Sequence, residues 1–237
     1  MLFPHCKIVI YGSIFKVSLK ENLYYIVNFR LYYKEGVTVK KAIFGGTFDP
    51  IHIGHVHIAY EALHNLHLDK VLFMPAGNPP NKIEKKITDA QIRYDLVKKA
   101  VESEPYFEVS DYEINKKEKS YTYETVEFYS KIEPSIEWYF LVGVDSLMDL
   151  GNWKYLHRIL DSCKIIAYNR AGFTIEEVLK QKKHIEQKFN SEIIFLNMPI
   201  IDVSSTNIRN SIKEGRNVDY LLPRGVEGII HKLHIYK

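Results

Sequence analysis

The chain is poor in cysteine: Cys6 and Cys163 are its only two in 237 residues. Two thiols so far apart build neither a disulfide framework nor a CxxC zinc site, which points to a reduced compartment. A run of the roughly 18 to 20 apolar residues that a bilayer-spanning helix requires is also missing, so a membrane protein is not expected. The N-terminal apolar run from Ile8 to Phe15 is broken by Gly12 and Ser13 and lacks a clear small-residue cleavage site, so it does not read as a secretory signal. Nor is there an excess of one charge. Formal net charge is only +3, and residues 1–41 carry seven Lys/Arg against Glu21 and Glu35, leaving the remainder at −2. A sequence-independent nucleic-acid binder needs a clustered cationic surface to release phosphate counterions, and the core has no such composition. Any nucleotide bound here is therefore expected to be small, and no nucleic-acid partner is expected. HExxH and clustered DxD signatures are absent as well.

What is present, from residue 41 onward, is alternation. Apolar runs that read as buried strands cover Lys41 to Phe44, Val71 to Pro75, Phe107 to Ser110, Trp138 to Val142, Lys164 to Tyr168 and Ile193 to Leu196. Helical patterns lie between them over Gly54 to Leu66, Asp89 to Ser103, Thr122 to Ile132, Trp153 to Leu160 and Ile175 to Phe189. This order predicts an α/β fold, a Rossmann-like doubly wound parallel sheet with a C-terminal helical segment and with sites at the carboxyl ends of the strands. The expected organisation is one domain over 41–237 behind an extension over 1–40. That extension holds apolar, Tyr-rich pieces (Ile8 to Ile10, Leu23 to Val27, Leu31 to Tyr33) between lysines, consistent with added strands or a partly ordered arm. A transit peptide is the competing reading, weakened by Lys rather than Arg and Ser enrichment.

Residues 45–57, GGTFDPIHIGHVH, carry the most chemistry. The first strand should end at Gly45 and Gly46, whose missing side chains let backbone amides approach a ligand and tolerate positive φ. Pro50 prevents a regular strand from continuing, and helix is expected from about Gly54. His52 and His55 then stand one turn apart at a helix N-terminus, where free amides and the macrodipole favour an anion. Thr47 and the amides of Gly46 to Phe48 are the expected phosphate cradle. Asp49 reads either as part of the site or as a tie between the loop and the following helix. The other histidines, His57, His64 and His67 among them, read as surface or core residues.

Near the end, VSSTNIR (203–209) supplies a second anion site. Ser204 or Ser205 is a good helix N-cap, and Arg209 follows about one turn along. Taken alone, an SST cap followed by an Arg is also a common surface feature.

These two segments resemble the HxGH and ISSTxIR signatures of the nucleotidylyltransferase superfamily. Four more segments narrow the likeness: MPAGNPPNK (74–82), SYTYET (120–125), FLVGVDSLMDLGNW (140–153) and YLLPRGV (220–226). In that order and spacing they resemble the nicotinate/nicotinamide mononucleotide adenylyltransferases of the bacterial type, from about Lys41 to Tyr236. The resemblance implies transfer of the adenylyl group of ATP to nicotinate mononucleotide, with nicotinamide mononucleotide as a slower substrate. A phosphopantetheine adenylyltransferase or other small-acceptor nucleotidylyltransferase is one alternative, and a non-catalytic nucleotide sensor on the same fold is another.

The resemblance also implies roles. His55 and then His52 would donate to the α-phosphate as charge builds there. Gly45, Gly46, Thr47 and Phe48 would cradle phosphate, while Ser204, Ser205, Thr206 and Arg209 would hold the leaving β and γ phosphates. Gly143 and Asp145 would meet the adenosine ribose. On the acceptor side, Trp153 would stack on the pyridine ring, Tyr121 and Thr122 would read its carboxylate, and Asn78 and Lys82 would contact the mononucleotide. Trp138 is expected in the core. Mg2+ would arrive on the ATP phosphates, with no dedicated protein cage. Self-association is a family trait that no heptad or exposed strand here demands, and the cytosol is the expected compartment, with the nucleus or an organelle as alternatives. The chain departs from the usual pattern at Asn81 (often His), Lys116 and Glu118 (often Arg and Gly) and Lys154 (often Tyr).

Overall fold

The computed structural model describes residues 6–10, 13–17, 38–78, 87–116, 118–170 and 172–237. The chain divides into two compact units, residues 1–37 and 38–237. In the first, β1 (Cys6–Ile10) and β2 (Ser13–Val17) pair antiparallel with Ile8 opposite Phe15. The pieces Leu23 to Val27 and Leu31 to Tyr33 lie outside the described residues.

The second unit is built on β3 (Val39–Gly46), β4 (Lys70–Pro75), β5 (Phe107–Val109), β6 (Ile136–Gly143), β7 (Lys164–Tyr168) and β8 (Ile193–Leu196). Their order is β5-β4-β3-β6-β7-β8, and every described pairing among them is parallel. This is the expected doubly wound sheet. Strand order reverses between β3 and β6, and the carboxyl ends of those two strands, Gly46 and Gly143, open the crevice where such sheets take ligands.

Helices cover both faces, so the strands are buried on both sides and the two-residue period divides their side chains between two cores. Ala42 and Phe44, Val71 and Phe73, Tyr139 and Leu141, and Ile166 and Tyr168 point into one core. That side is closed by α1 (Ile53–Asn65), α2 (Ala90–Val101), α7 (Ser205–Lys213) and α8 (Val226–Leu233). Ile43, Leu72, Met74, Trp138, Phe140, Ile165 and Ala167 point into the other. They meet α3 (Thr122–Ile132), α4 (Val144–Asp149), α5 (Leu156–Ser162) and α6 (Ile175–Phe189). Each fully buried aliphatic of this kind contributes about 1.5–3 kcal/mol. No helix among the described residues is long and apolar enough to cross a membrane.

Two expectations are corrected. The helix expected over Trp153 to Leu160 begins three residues late, at Leu156, and it is preceded by helical turns that were not expected: α4 starts directly after β6 and a 3-10 turn covers Leu150–Asn152. Val144, Leu147 and Leu150 are buried at three-residue spacing and draw the chain into helix early, while Tyr155 takes a left-handed φ of 53° that separates the two helices. Trp153 is thereby left in extended backbone ahead of α5. The second correction concerns Gly45 and Gly46, which are ordinary strand residues; the left-handed residue of that loop is Phe48, with φ 48°. The glycines serve space instead. A Cβ at Gly46 would sit 2.8 Å from the Phe48 ring, and one at Gly45 would press on Phe140 at 3.2 Å.

Candidate active site

The loop between β3 and α1 is held by its carbonyls. Arg93 Nη1 donates to Thr47 O at 2.7 Å, Arg209 Nη1 to Asp49 O at 2.6 Å, and Ser205 Oγ to Pro50 O at 2.9 Å. The Asp49–Pro50 peptide is cis. Asp49 itself is buried, and its carboxylate accepts from Tyr236 Oη at 2.8 Å and from the Thr88 amide at 3.4 Å. Its structural reading holds, with a different anchor: the tie runs to the segment before α2 and to the C-terminal segment, not to the following helix.

This fixed loop presents the two histidines. His52 is the extended N-cap residue of α1, and its backbone N–H donates to Nδ1 of His55 at 3.2 Å. A neutral His55 must then carry its proton on Nε2, which makes that nitrogen a donor. The two rings stack at 3.7 Å, and the Phe48 ring meets His55 edge-on at 4.9 Å. Burial first, and the positive field of Arg170 second, lower the His52 pKa from 6.5 to about 4. Burial, His52 and Arg170 push His55 well below 6.5 in the same direction. Both imidazoles are neutral at pH 7, as suits a helix N-terminus.

A stability prediction follows from that neutrality. Unfolded histidine binds protons near pH 6.5 while folded His52 resists them until about pH 4, so the unfolded chain holds more protons in between. Stability is complete above pH 6.5 and is lost as pH falls toward 4, by about 3 kcal/mol from His52 alone at 1.36 kcal/mol per unit. Urea titrations at pH 7.0 and 4.5 measure it. The His52→Gln variant should flatten the dependence, and an equal slope in both proteins would assign the loss to other groups.

Two clefts open beside the histidines, of about 600 Å³ and about 360 Å³. His55, Asp145, Tyr168 and Arg170 line both. Gly45, Gly46, Thr47, Phe48, Gly143, Tyr121, Thr122 and Trp153 line the larger. The smaller takes in His52 with Asn169, Phe173, Met198 and Ile200. A Cβ at Gly143 would meet Asp145 Oδ1 at 2.3 Å, so a side chain there would displace the Asp145 carboxylate. Trp153 is half-buried, its ring against Phe140 at 6.3 Å, with one side on the cleft. Trp138 is buried in the core as expected.

Other expected residues lie elsewhere. Ser204, Ser205, Thr206 and Arg209 line neither cleft. Ser204 Oγ caps α7 by accepting from the Asn207 amide at 3.2 Å, and Arg209 Nη2 donates to Thr206 Oγ1 at 3.3 Å. Asn78 is exposed outside the clefts, and its carbonyl accepts from the Ser120 amide at 3.2 Å, joining the loop after β4 to the start of α3. Lys82 and Asn81 fall outside the described residues.

Three residues that the sequence reading passes over are prominent. Arg93 is 1% exposed, and besides Thr47 it donates to Thr88 O at 2.9 Å and Gly77 O at 3.2 Å. A sequence signal existed: Arg93 begins the buried stripe Arg93, Leu96, Val97, Ala100, Val101 of α2, where a solvated arginine does not belong. Gly77 allows close backbone approach, since a Cβ there would overlap Glu113 O at 2.0 Å. Arg170 stands just beyond β7, 3.4 Å from Asp145. Its position after a parallel strand, on the carboxyl side of the sheet, was its only signal.

Among the described residues no group of three or more His, Cys, Asp or Glu is placed to hold a metal ion.

The comparisons agree with this architecture. Residues 43–211 match the family model for cytidylyltransferase-like proteins. A Clostridium kluyveri protein described as "Probable nicotinate-nucleotide adenylyltransferase" is 56% identical over 202 residues, covering 84% of this chain and all of that one. A Clostridium novyi protein of the same description is 52% identical over 198 residues, covering 84% and 99%. Among solved structures, the Plasmodium falciparum nicotinic acid mononucleotide adenylyltransferase complexed with NaAD superposes with a TM-score of 0.68 at 19% identity, over 84% of this chain and 97% of that one. Likeness at that identity speaks for the fold, whereas the clostridial relatives speak for the family. The chain belongs to the cytidylyltransferase-like family and, within it, to the nicotinate-nucleotide adenylyltransferases.

Proposed function

We propose that this protein transfers the adenylyl group of ATP to nicotinate mononucleotide, forming deamido-NAD and releasing pyrophosphate. The observation that carries the reading is His55: a neutral imidazole with its donor on Nε2, lining both clefts. One cleft takes each substrate, and the reacting phosphates meet at the wall they share. The larger, with Trp153 and Tyr121, suits a pyridine ring; the smaller, with Phe173, Met198 and Ile200, suits adenine.

A phosphate oxygen of the mononucleotide attacks the α-phosphorus in line as the bond to the bridging oxygen of pyrophosphate breaks. The attacking phosphate is already largely ionised at neutral pH, so positioning and charge compensation are the requirements. His55 Nε2–H donates to an α-phosphate oxygen, and the bond strengthens as charge accumulates there. Arg170 provides positive charge at the junction and takes part of the same load. Asp145, placed by Gly143, accepts from the ribose hydroxyls. Arg209 and Thr206 act in this structure through the loop, the guanidinium using Nη1 on Asp49 O and Nη2 on Thr206 Oγ1. Magnesium, if it arrives with ATP, would supply positive charge to the phosphates.

The test is a coupled assay with ATP, magnesium and each acceptor in turn. Nicotinate mononucleotide should be turned over fastest and nicotinamide mononucleotide more slowly. Turnover of phosphopantetheine alone would move the protein to another branch, and nucleotide binding without turnover would make it a sensor.

A further inference from the structure

We infer that Lys154 selects the acidic acceptor over its amide by pairing with the pyridine carboxylate; the inference rests on the proposed function. Nicotinate and nicotinamide mononucleotides share their phosphate, ribose and cationic ring, and differ in one negative charge at the edge of that ring. A side chain that tells them apart by charge therefore has to stand beside the ring and away from the phosphate.

Among the described residues lining the larger cleft, the cations are Lys154 and Arg170. Arg170 already faces a carboxylate, Asp145, at 3.4 Å, and it borders the junction with the second cleft. Lys154 follows Trp153, lines the same cleft and stands against Tyr121. No described carboxylate lies within 4.0 Å of its ammonium. Glu124, the acid on the same side, is engaged by Lys116 at 3.1 Å and by Tyr123 Oη at 2.9 Å. Lys154 Nζ instead rests over aromatic faces, 4.4 Å from the Tyr121 ring centre and 5.3 Å from that of Tyr155.

The magnitudes favour release to a ligand. Cation–π contact at an exposed site is worth about 0.5–1 kcal/mol. A charge-assisted hydrogen bond to a carboxylate is worth about 1.5–3 kcal/mol. A bound nicotinate ring on Trp153 would therefore draw the ammonium off its tyrosines. The amide offers no such charge, and its cationic ring would face Lys154 without a balancing carboxylate, so the same residue opposes the wrong substrate.

Steady-state assays of Lys154→Met and Lys154→Arg with both mononucleotides test this. In Lys154→Met the ratio of kcat/KM for the acid to that for the amide should fall about tenfold, the low end of what a charge-assisted hydrogen bond contributes. Lys154→Arg should hold the ratio within about threefold, and 0.5 M KCl should lower it in the unaltered protein but not in Lys154→Met. Equal losses with both acceptors would place Lys154 on the shared phosphate, and an unmoved ratio would make it a surface lysine; either result overturns the inference while the proposed function stands. Failure of the unaltered protein to use either mononucleotide overturns both.

Discussion

His55→Ala should lower kcat by about two to three orders of magnitude, with a smaller change in KM for ATP. The size follows from what a single preorganised donor at a developing charge contributes, about 2.7–4 kcal/mol. His55 is preorganised from three sides: the His52 amide fixes its tautomer at 3.2 Å, the His52 ring stacks on it at 3.7 Å, and Phe48 bounds its edge at 4.9 Å. Asparagine retains a donor but not the ring, and should recover only part of the loss. Circular dichroism and single-turnover rates at saturating ATP separate chemistry from folding. An unchanged single-turnover rate in His55→Ala would remove His55 from the reaction, whatever happened to binding.

The second large effect belongs to a residue outside both clefts. Arg93→Met should destabilise the protein by about 3–5 kcal/mol, because it strips the donors from three carbonyls at a fully buried position. For a chain of this length that is a fall in Tm of about 10 °C. The residue ties Thr47 of the loop between β3 and α1, Gly77 of the loop after β4 and Thr88 before α2 to one guanidinium. Its loss should therefore also lower kcat by at least about tenfold at a temperature where the variant remains folded. The Arg93→Lys variant should not rescue either effect, since a single ammonium nitrogen cannot span carbonyls that the guanidinium reaches from Nε, Nη1 and Nη2 separately. Urea titration and kcat at 15 °C measure the two effects separately. Stability within 1 kcal/mol of the parent would show that the clamp carries little, and an unchanged kcat would confine Arg93 to folding.

The sheet was legible because its strands are buried on both faces. Runs such as Ile165 to Ala167 and Phe140 to Val142 have no polar face that could disguise them, and the glycine-bounded HxGH segment declared its position after a strand. Less was readable where distant chain segments meet. The carbonyl ties from Arg93, Arg209 and Ser205 onto residues 47–50 join sites between 46 and 160 positions apart, and no local pattern encodes such a partnership. The early helix after β6 was missed for a related reason. Val144, Leu147 and Leu150 carry a helical period too short to compete with the stronger signal downstream, and the left-handed turn at Tyr155 is unusual for an aromatic residue. Arg170 and Gly77 owe their places to neighbours across the crevice, Asp145 and Glu113, rather than to their own surroundings in sequence.

The bond from Tyr236 to Asp49 spans 187 positions and closes the phosphate-handling loop from its far side. During synthesis the loop emerges early, and the sheet from β3 to β8 can assemble around it as residues are added. The hydroxyl that completes its anchoring arrives almost 190 residues later. A growing chain thus carries the two histidines well before it carries the Tyr236 restraint on the loop that presents them.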